Sequence, residues 1–146
     1  MSDPKPPRFL KSMNKFVVAL SRIGVPAGPS QVLTVPGRKS GQPRSTPMTP
    51  FDHDGSLYTV AGYPGADWAA NARAAGVGTL ARGRRSRRVR IVELSAEESK
   101  PVLRAFAKKV PVGVGFAKRS GLVVDGTPDE FETLAGRLAV FRFDPA

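Results

Sequence analysis

Gly37-Arg38-Lys39-Ser40-Gly41, followed three residues later by Arg44, is the stretch of this chain best equipped for chemistry. Two glycines bracket two cations and a hydroxyl. The apolar run Val32 to Val35 leads in, and a proline-spaced run from Arg44 to Phe51 leads out. The pattern reads as strand, tight turn, strand. Glycine lets a turn adopt backbone conformations closed to other residues and lets a ligand approach the chain. Successive backbone N–H groups in such a turn can form a nest for an anion, which Arg and Lys reinforce. The ligand this predicts is anionic, a phosphate first of all. Neither G-x-x-x-x-G-K-[ST] nor G-x-G-x-x-G spacing is present, so this is not a nucleotide-binding loop of either kind. A merely solvated basic hairpin is the competing reading.

Little else in the chain offers chemistry. Its 146 residues include no cysteine, which excludes disulfides, thiolate metal sites and cysteine nucleophiles. The one histidine, His53, sits in Asp52-His53-Asp54-Gly55, a hairpin-turn sequence. It is a poor candidate for a Ser-His-Asp triad, and one histidine makes no self-contained zinc site. No metal is expected. The net charge of +11 predicts anionic partners: a polyanionic ligand, nucleic acid or an anionic membrane surface. No run approaches the roughly 20 apolar residues that span a bilayer, and the polar start is not a secretory signal. The expected compartment is the cytoplasm.

One domain fits this length. Residues 1–8 read as a flexible Pro-rich leader and 9–146 as the domain. Phe9, Leu10, Met13, Phe16, Val17, Leu20 and Ile23 form one helical stripe, with Lys11, Lys15 and Arg22 off it. This basic amphipathic helix would pack on its own domain, or meet a partner or the inner membrane face. Strands are expected at Val32–Val35, Arg44–Phe51, Leu57–Ala61 and Val77–Ala81, then up to about Leu94, and at Leu138–Phe143. Pro43, Pro47 and Pro50 place the second of these at a sheet edge or make it bulged. Asp67 would cap a helix from Trp68 to Ala74. Ser95-Ala96-Glu97-Glu98 opens a helix to about Lys109, and Asp129–Leu134 is a short one. The glycine-rich stretch Pro111–Gly126 reads as a loop. Six strands joined by short turns, with peripheral helices, predict a mainly β (α+β) fold, an antiparallel barrel.

Val32 to Arg44, a hairpin, a Gly-rich loop and then Trp68-x-x-Asn71-x-x-Ala74 resemble the deazaflavin-dependent nitroreductase family of actinobacteria. The likeness spans roughly residues 9–143, and its most specific part is Gly-Arg-Lys-Ser-Gly-x-x-Arg. It implies an FMN-binding type of split β-barrel and the deazaflavin coenzyme F420, which carries a phosphodiester and an oligoglutamate tail; FMN is the alternative cofactor. By similarity Arg38, Lys39 and Ser40 hold the phosphate and nearby tail, and Gly41 of the same turn is a further cofactor-binding residue. Arg44, Thr46 and Pro47 run beside the ring, and Trp68 and Asn71 close the site. Two family features differ here: Gly62-Tyr63 stands where many members have Ser-Lys, and Ala75-Gly76 where Asn-Pro is usual.

The implied function is an oxidoreductase that passes hydride from reduced F420 to a quinone, enone or nitro compound. Such chemistry needs neither triad nor metal, because the cofactor carries the hard step. Tyr63 is the leading proton donor, ahead of Tyr58, Ser120 and solvent. The alternatives are a non-catalytic flavin- or deazaflavin-binding protein and a basic protein binding nucleic acid or a membrane surface. Residues 82–90 hold six arginines in nine positions. In a strand, Arg84, Arg88 and Arg90 share a face with Ser86, while Arg85 and Arg87 share one with Val89 and Ile91. They would be solvated, meet the coenzyme's acidic tail, or meet nucleic acid or lipid. No aromatic lies between Trp68 and Phe106 to stack on bases, which weighs against nucleic acid. Monomer and homodimer are both open.

Overall fold

A computed structural model describes residues 30–146. The expected leader and amphipathic N-terminal helix lie outside the described residues. Seven strands, β1 (Gln31–Pro36), β2 (Pro43–Met48), β3 (Phe51–His53), β4 (Ser56–Val60), β5 (Val77–Arg82), β6 (Arg85–Glu93) and β7 (Val140–Pro145), form one sheet in the order β2-β1-β5-β6-β7-β4-β3. Every ladder is antiparallel. β2 and β3 lie at opposite ends of that order, yet only Thr49 and Pro50 separate them in the chain. Three Cα–Cα steps reach at most about 11 Å. The two edges must therefore approach each other, and the sheet rolls into a split barrel.

The sequence predicts one strand from Arg44 to Phe51, and the structure makes it two, giving seven rather than six. Its prolines explain both the edge position and the break. Proline cannot donate to a ladder, so this segment serves each sheet edge in turn. The Asp54-Gly55 turn joins β3 to β4 with φ of 48° and 80°, the double left-handed geometry of a two-residue hairpin.

Two cores flank the sheet. One holds Leu33, Val35, Leu80, Val89, Ile91, Phe141 and Phe143 beneath α1 (Asp67–Ala75). The other packs Phe51 and Val140 against α2 (Ala96–Lys109), α3 (Pro111–Arg119) and α4 (Pro128–Glu132). Strand alternation sends Val140 to one core and Phe141 and Phe143 to the other. Side chains such as Phe131, Phe141 and Leu103 are fully buried, each stabilising the fold by roughly 1.5–3 kcal/mol. α2 starts in a capping box: Glu98 N–H donates to Ser95 Oγ (3.2 Å), and Ser95 N–H donates to Glu98 Oε1 (2.9 Å). No described helix is long and apolar enough to cross a membrane.

Two local expectations are corrected. Asp67 is the first residue of α1 and not its cap, which is Ala66. Much of the expected 111–126 loop is helix α3. Pro111 stands at its start, where the missing N–H costs nothing. Gly113 is there for packing rather than freedom: a Cβ on it would collide with the Phe106 ring.

Candidate functional site

The turn between β1 and β2 is stitched from within. Gly37 N–H donates to Gln42 O (2.8 Å), Gly41 N–H to Gly37 O (2.9 Å) and Gln42 N–H to Ser40 Oγ (3.2 Å). Arg38 N–H donates to Asn71 Oδ1 on α1 (3.0 Å). Only the amides of Lys39 and Ser40 are left over in the turn. The backbone nest expected from sequence is thus largely spent on holding its own shape, and anion recognition falls to side chains. Gly41 has φ of 72°, which favours glycine. At Gly37 a Cβ would come within 3.1 Å of Ser40 Oγ and 3.3 Å of Arg44 Nε. Glycine here is what lets the hydroxyl and the guanidinium converge.

The cations of the turn divide by role. Arg38 Nη1 donates to Asn71 Oδ1 (2.8 Å) and Asp67 O (3.4 Å), and its Nη2 meets Asp67 Oδ1 (3.4 Å). Asn71 is buried. Arg38, Asn71 and Asp67 together pin the turn to α1. Lys39 and Arg44 are exposed and have no acidic partner among the described residues. Ser40 Oγ accepts from Gln42 and keeps its own proton to donate. These residues line a cavity of about 410 Å³ with Gly37, Asp67 and Asn71. Three cations stand against one carboxylate, so the cavity selects anions.

Thr46, Pro47, Tyr63 and Trp68, all singled out in the sequence, gather at a second, apolar cavity of about 220 Å³. Trp68 also packs on Phe141, with ring centroids 5.6 Å apart, so it belongs to core and cavity wall alike. Burial raises the pKa of Tyr63, and the negative charge of Asp67 raises it further. A third, polar cavity of about 240 Å³ has both Tyr63 and Arg38 on its wall. Tyr63 thus joins the apolar and polar spaces, and Arg38 joins the polar and cationic ones. The three fit an elongated ligand with an apolar body and an anionic end.

The structure leaves some expected residues out. Gly41 shapes the turn but faces an outer groove beside β1 and β5, not the cationic cavity. Tyr58 and Ser120 do not line the apolar cavity; Tyr58 packs by Phe51 and His53, and Ser120 Oγ donates to Ala117 O (3.3 Å). Among the described residues no group of three acidic or histidine side chains could hold a metal. Sequence reasoning missed the far wall of the apolar cavity, Val112, Gly113 and Phe116 on α3. Pro111 at a helix start, followed by apolar residues at positions 112, 114, 116 and 117, was the available signal.

A split antiparallel barrel here carries an apolar cavity and a cationic turn at its rim, an arrangement suited to a ligand with an apolar body and an anionic end. The model of the F420H(2)-dependent quinone reductase family matches residues 11–121, and the chain belongs to that family. It is an F420-dependent oxidoreductase acting on a small organic molecule. No curated protein matches the chain. Among solved structures it is similar to an F420-H2 dependent reductase, FDR-A, with 19% identity and a TM-score of 0.54 over 80% of this chain and 95% of that one. It is similar to a domain-swapped dimer at 19% identity and TM-score 0.53, over 93% and 97% of the two chains. A protein of the pyridoxinephosphate oxidase family from Clostridium acetobutylicum, related to general stress protein 26, shares 14% identity and a TM-score of 0.52 over 94% and 84%. These likenesses agree on the fold.

Proposed function

We propose that the three cavities form one F420 and acceptor site, and that the acceptor is a quinone, enone or nitro compound. One observation carries this reading: Lys39, Arg44 and Ser40, all free to bind an anion, sit one polar cavity away from an apolar space walled by Pro47, Trp68 and Phe116. When bound, reduced F420 supplies the hydride.

The chain's own residues do the rest. Lys39 and Arg44 bind the phosphate, with Ser40 Oγ–H as a neutral donor, because charge-assisted contacts to phosphate are stronger than neutral ones. Arg38 and Asn71 fix the turn from which Lys39 projects. Thr46, Pro47 and Trp68 orient the planar ring system, and Phe116 closes the far side. Tyr63 Oη retains its proton throughout the neutral range, since burial and Asp67 both oppose ionisation. This reading makes it the proton donor to the reduced acceptor. The cytoplasm is the setting this reading fits, and a homodimer is an assembly it accommodates.

Deazaflavin fluorescence gives the test. Titrating F420 into the wild-type protein and into Lys39→Ala and Arg44→Ala should show Kd rising about tenfold in each variant, as loss of a hydrogen bond to a charged group implies. Unchanged affinity in both would remove the phosphate role and, with it, the proposed site.

A further inference from the structure

Gly62 is a glycine that its own backbone does not require. Gly41, Gly55 and Gly65 have positive φ and Gly62 does not, so other residues can adopt its conformation. What is short at position 62 is space. A Cβ there would lie 3.3 Å from Phe116 Cε1 and 3.5 Å from Phe116 Cδ1. It would meet nothing else within 4 Å among the described residues. Gly62 therefore answers to one ring edge, brought across from α3.

That ring edge belongs to the apolar cavity. Gly62 and Phe116 both line it, as do Tyr63 and Trp68. Phe116 is half-buried. Phe51, Phe106, Phe131 and Phe141 each pack on another ring, whereas Phe116 has no ring partner among the described residues. Aromatic side chains gain from stacked or edge contacts with other rings, so Phe116 has such a contact to offer. Its helix has little room to back away. Phe106 occupies the space a side chain at Gly113 would need, and a Cβ on Gly126 would come within 2.7 Å of Val114 Cγ1. A side chain at position 62 thus takes its room from the Phe116 ring and from the cavity. At about 220 Å³ that cavity is small for a ligand site, so one methyl group matters. No charged side chain lines it; shape and contact decide what it accepts.

We propose that Gly62 and Phe116 are the specificity-determining pair of the acceptor site, and that they select a flat ring over one with bulk above and below its plane. The inference rests on the reading of this cavity as the acceptor's place and extends it to the residues that gauge the acceptor. Because position 62 has no side chain, the Phe116 ring sits back against the loop and closes one wall without filling the space. A flat acceptor ring then packs on Phe116 and lies near Tyr63, the next residue after Gly62. A side chain at position 62 narrows the space, and a smaller residue at position 116 widens it.

Trp68 is the chain's one tryptophan and lines the same cavity. Its fluorescence therefore reports an occupant without coenzyme or turnover. The experiment titrates the full chain with naphthoquinone, which is flat, and with di-tert-butylbenzoquinone, which is not. F420 is titrated separately by its own fluorescence, and thermal melts check that each variant folds. Wild type should prefer naphthoquinone. Gly62→Ala should weaken naphthoquinone about tenfold, as one added methyl in an apolar pocket implies, with F420 affinity within about twofold of wild type. Phe116→Leu should weaken naphthoquinone about fivefold through the lost ring contact and tighten the bulky quinone, so the preference narrows. A wild-type preference retained in both variants overturns the proposal. So does an equal loss of F420 and naphthoquinone in Gly62→Ala, which would assign Gly62 to the coenzyme. If wild type binds F420 but neither quinone quenches Trp68, the cavity is not the acceptor's place and the reading beneath the proposal fails. If wild type shows the expected quinone selectivity and does not bind F420, the coenzyme reading fails and the pair stands.

Discussion

Replacing Asn71 with alanine separates a residue that holds the site from one that touches its ligand. Asn71 Oδ1 accepts two hydrogen bonds, from Arg38 N–H at 3.0 Å and from Arg38 Nη1 at 2.8 Å. Alanine leaves the backbone donor without its partner beneath the turn, a penalty of about 1–3 kcal/mol. The guanidinium bond matters less, because the Arg38 side chain is 32% exposed and turns to water. The total is about 2–3 kcal/mol, or a drop in Tm of about 8 °C for a domain of this size. Thermal melts and amide exchange at Arg38 measure it, and coenzyme titration should show weaker binding as the turn loosens. Asn71→Asp is the informative companion. It keeps an acceptor at the same place, so Tm should stay close to wild type, while a second carboxylate in the cationic cavity weakens coenzyme binding. Should Asn71→Ala lose affinity with Tm unmoved, Asn71 contacts the ligand and the positioning role is wrong.

Two further outcomes are expected. Tyr63→Phe should lower the rate of acceptor reduction by about 10²-fold with coenzyme affinity intact; a change under about twofold assigns the proton to solvent. Glu130 accepts hydrogen bonds from the amides of Val124 (2.6 Å), Asp125 (3.0 Å) and Gly126 (2.8 Å), which hold its pKa below the ordinary glutamate value. A lowered pKa means that its stabilisation is complete above the ordinary value and is lost as pH falls through the lowered one. Exchange protection at these three amides should therefore fall on acidification, and Glu130→Gln should abolish that pH dependence; a pH-independent pattern in wild type would refute it.

Local rules were legible because their partners are neighbours in sequence. The Ser95 and Glu98 capping box, the Asp54-Gly55 hairpin and the proline-marked edge strand each rest on residues at most a few positions apart. A strand at the end of the chain was legible too, though not that Val140 on one face and Phe141 and Phe143 on the other would each join a separate core. α3 was hidden because glycine has two uses. Gly113 and Gly115 looked like loop residues, yet the first is small to admit the Phe106 ring, a contact fixed by how two helices meet.

The candidate site shows the same limit at greater cost. The sequence places Arg38, Lys39 and Arg44 in one basic turn and offers no ground for ranking them. The ranking comes from Asn71 and Asp67, some thirty residues away, which bind Arg38 and leave the other two free. Nor does the turn's glycine pattern reveal that most of its amides are already engaged. Charge in a motif is therefore not the same as charge available to a ligand, and availability is set by long-range partners. If charge availability governs binding, neutralising Lys39 or Arg44 must weaken F420 more than neutralising Arg38 does once the fold's own loss of stability is accounted for.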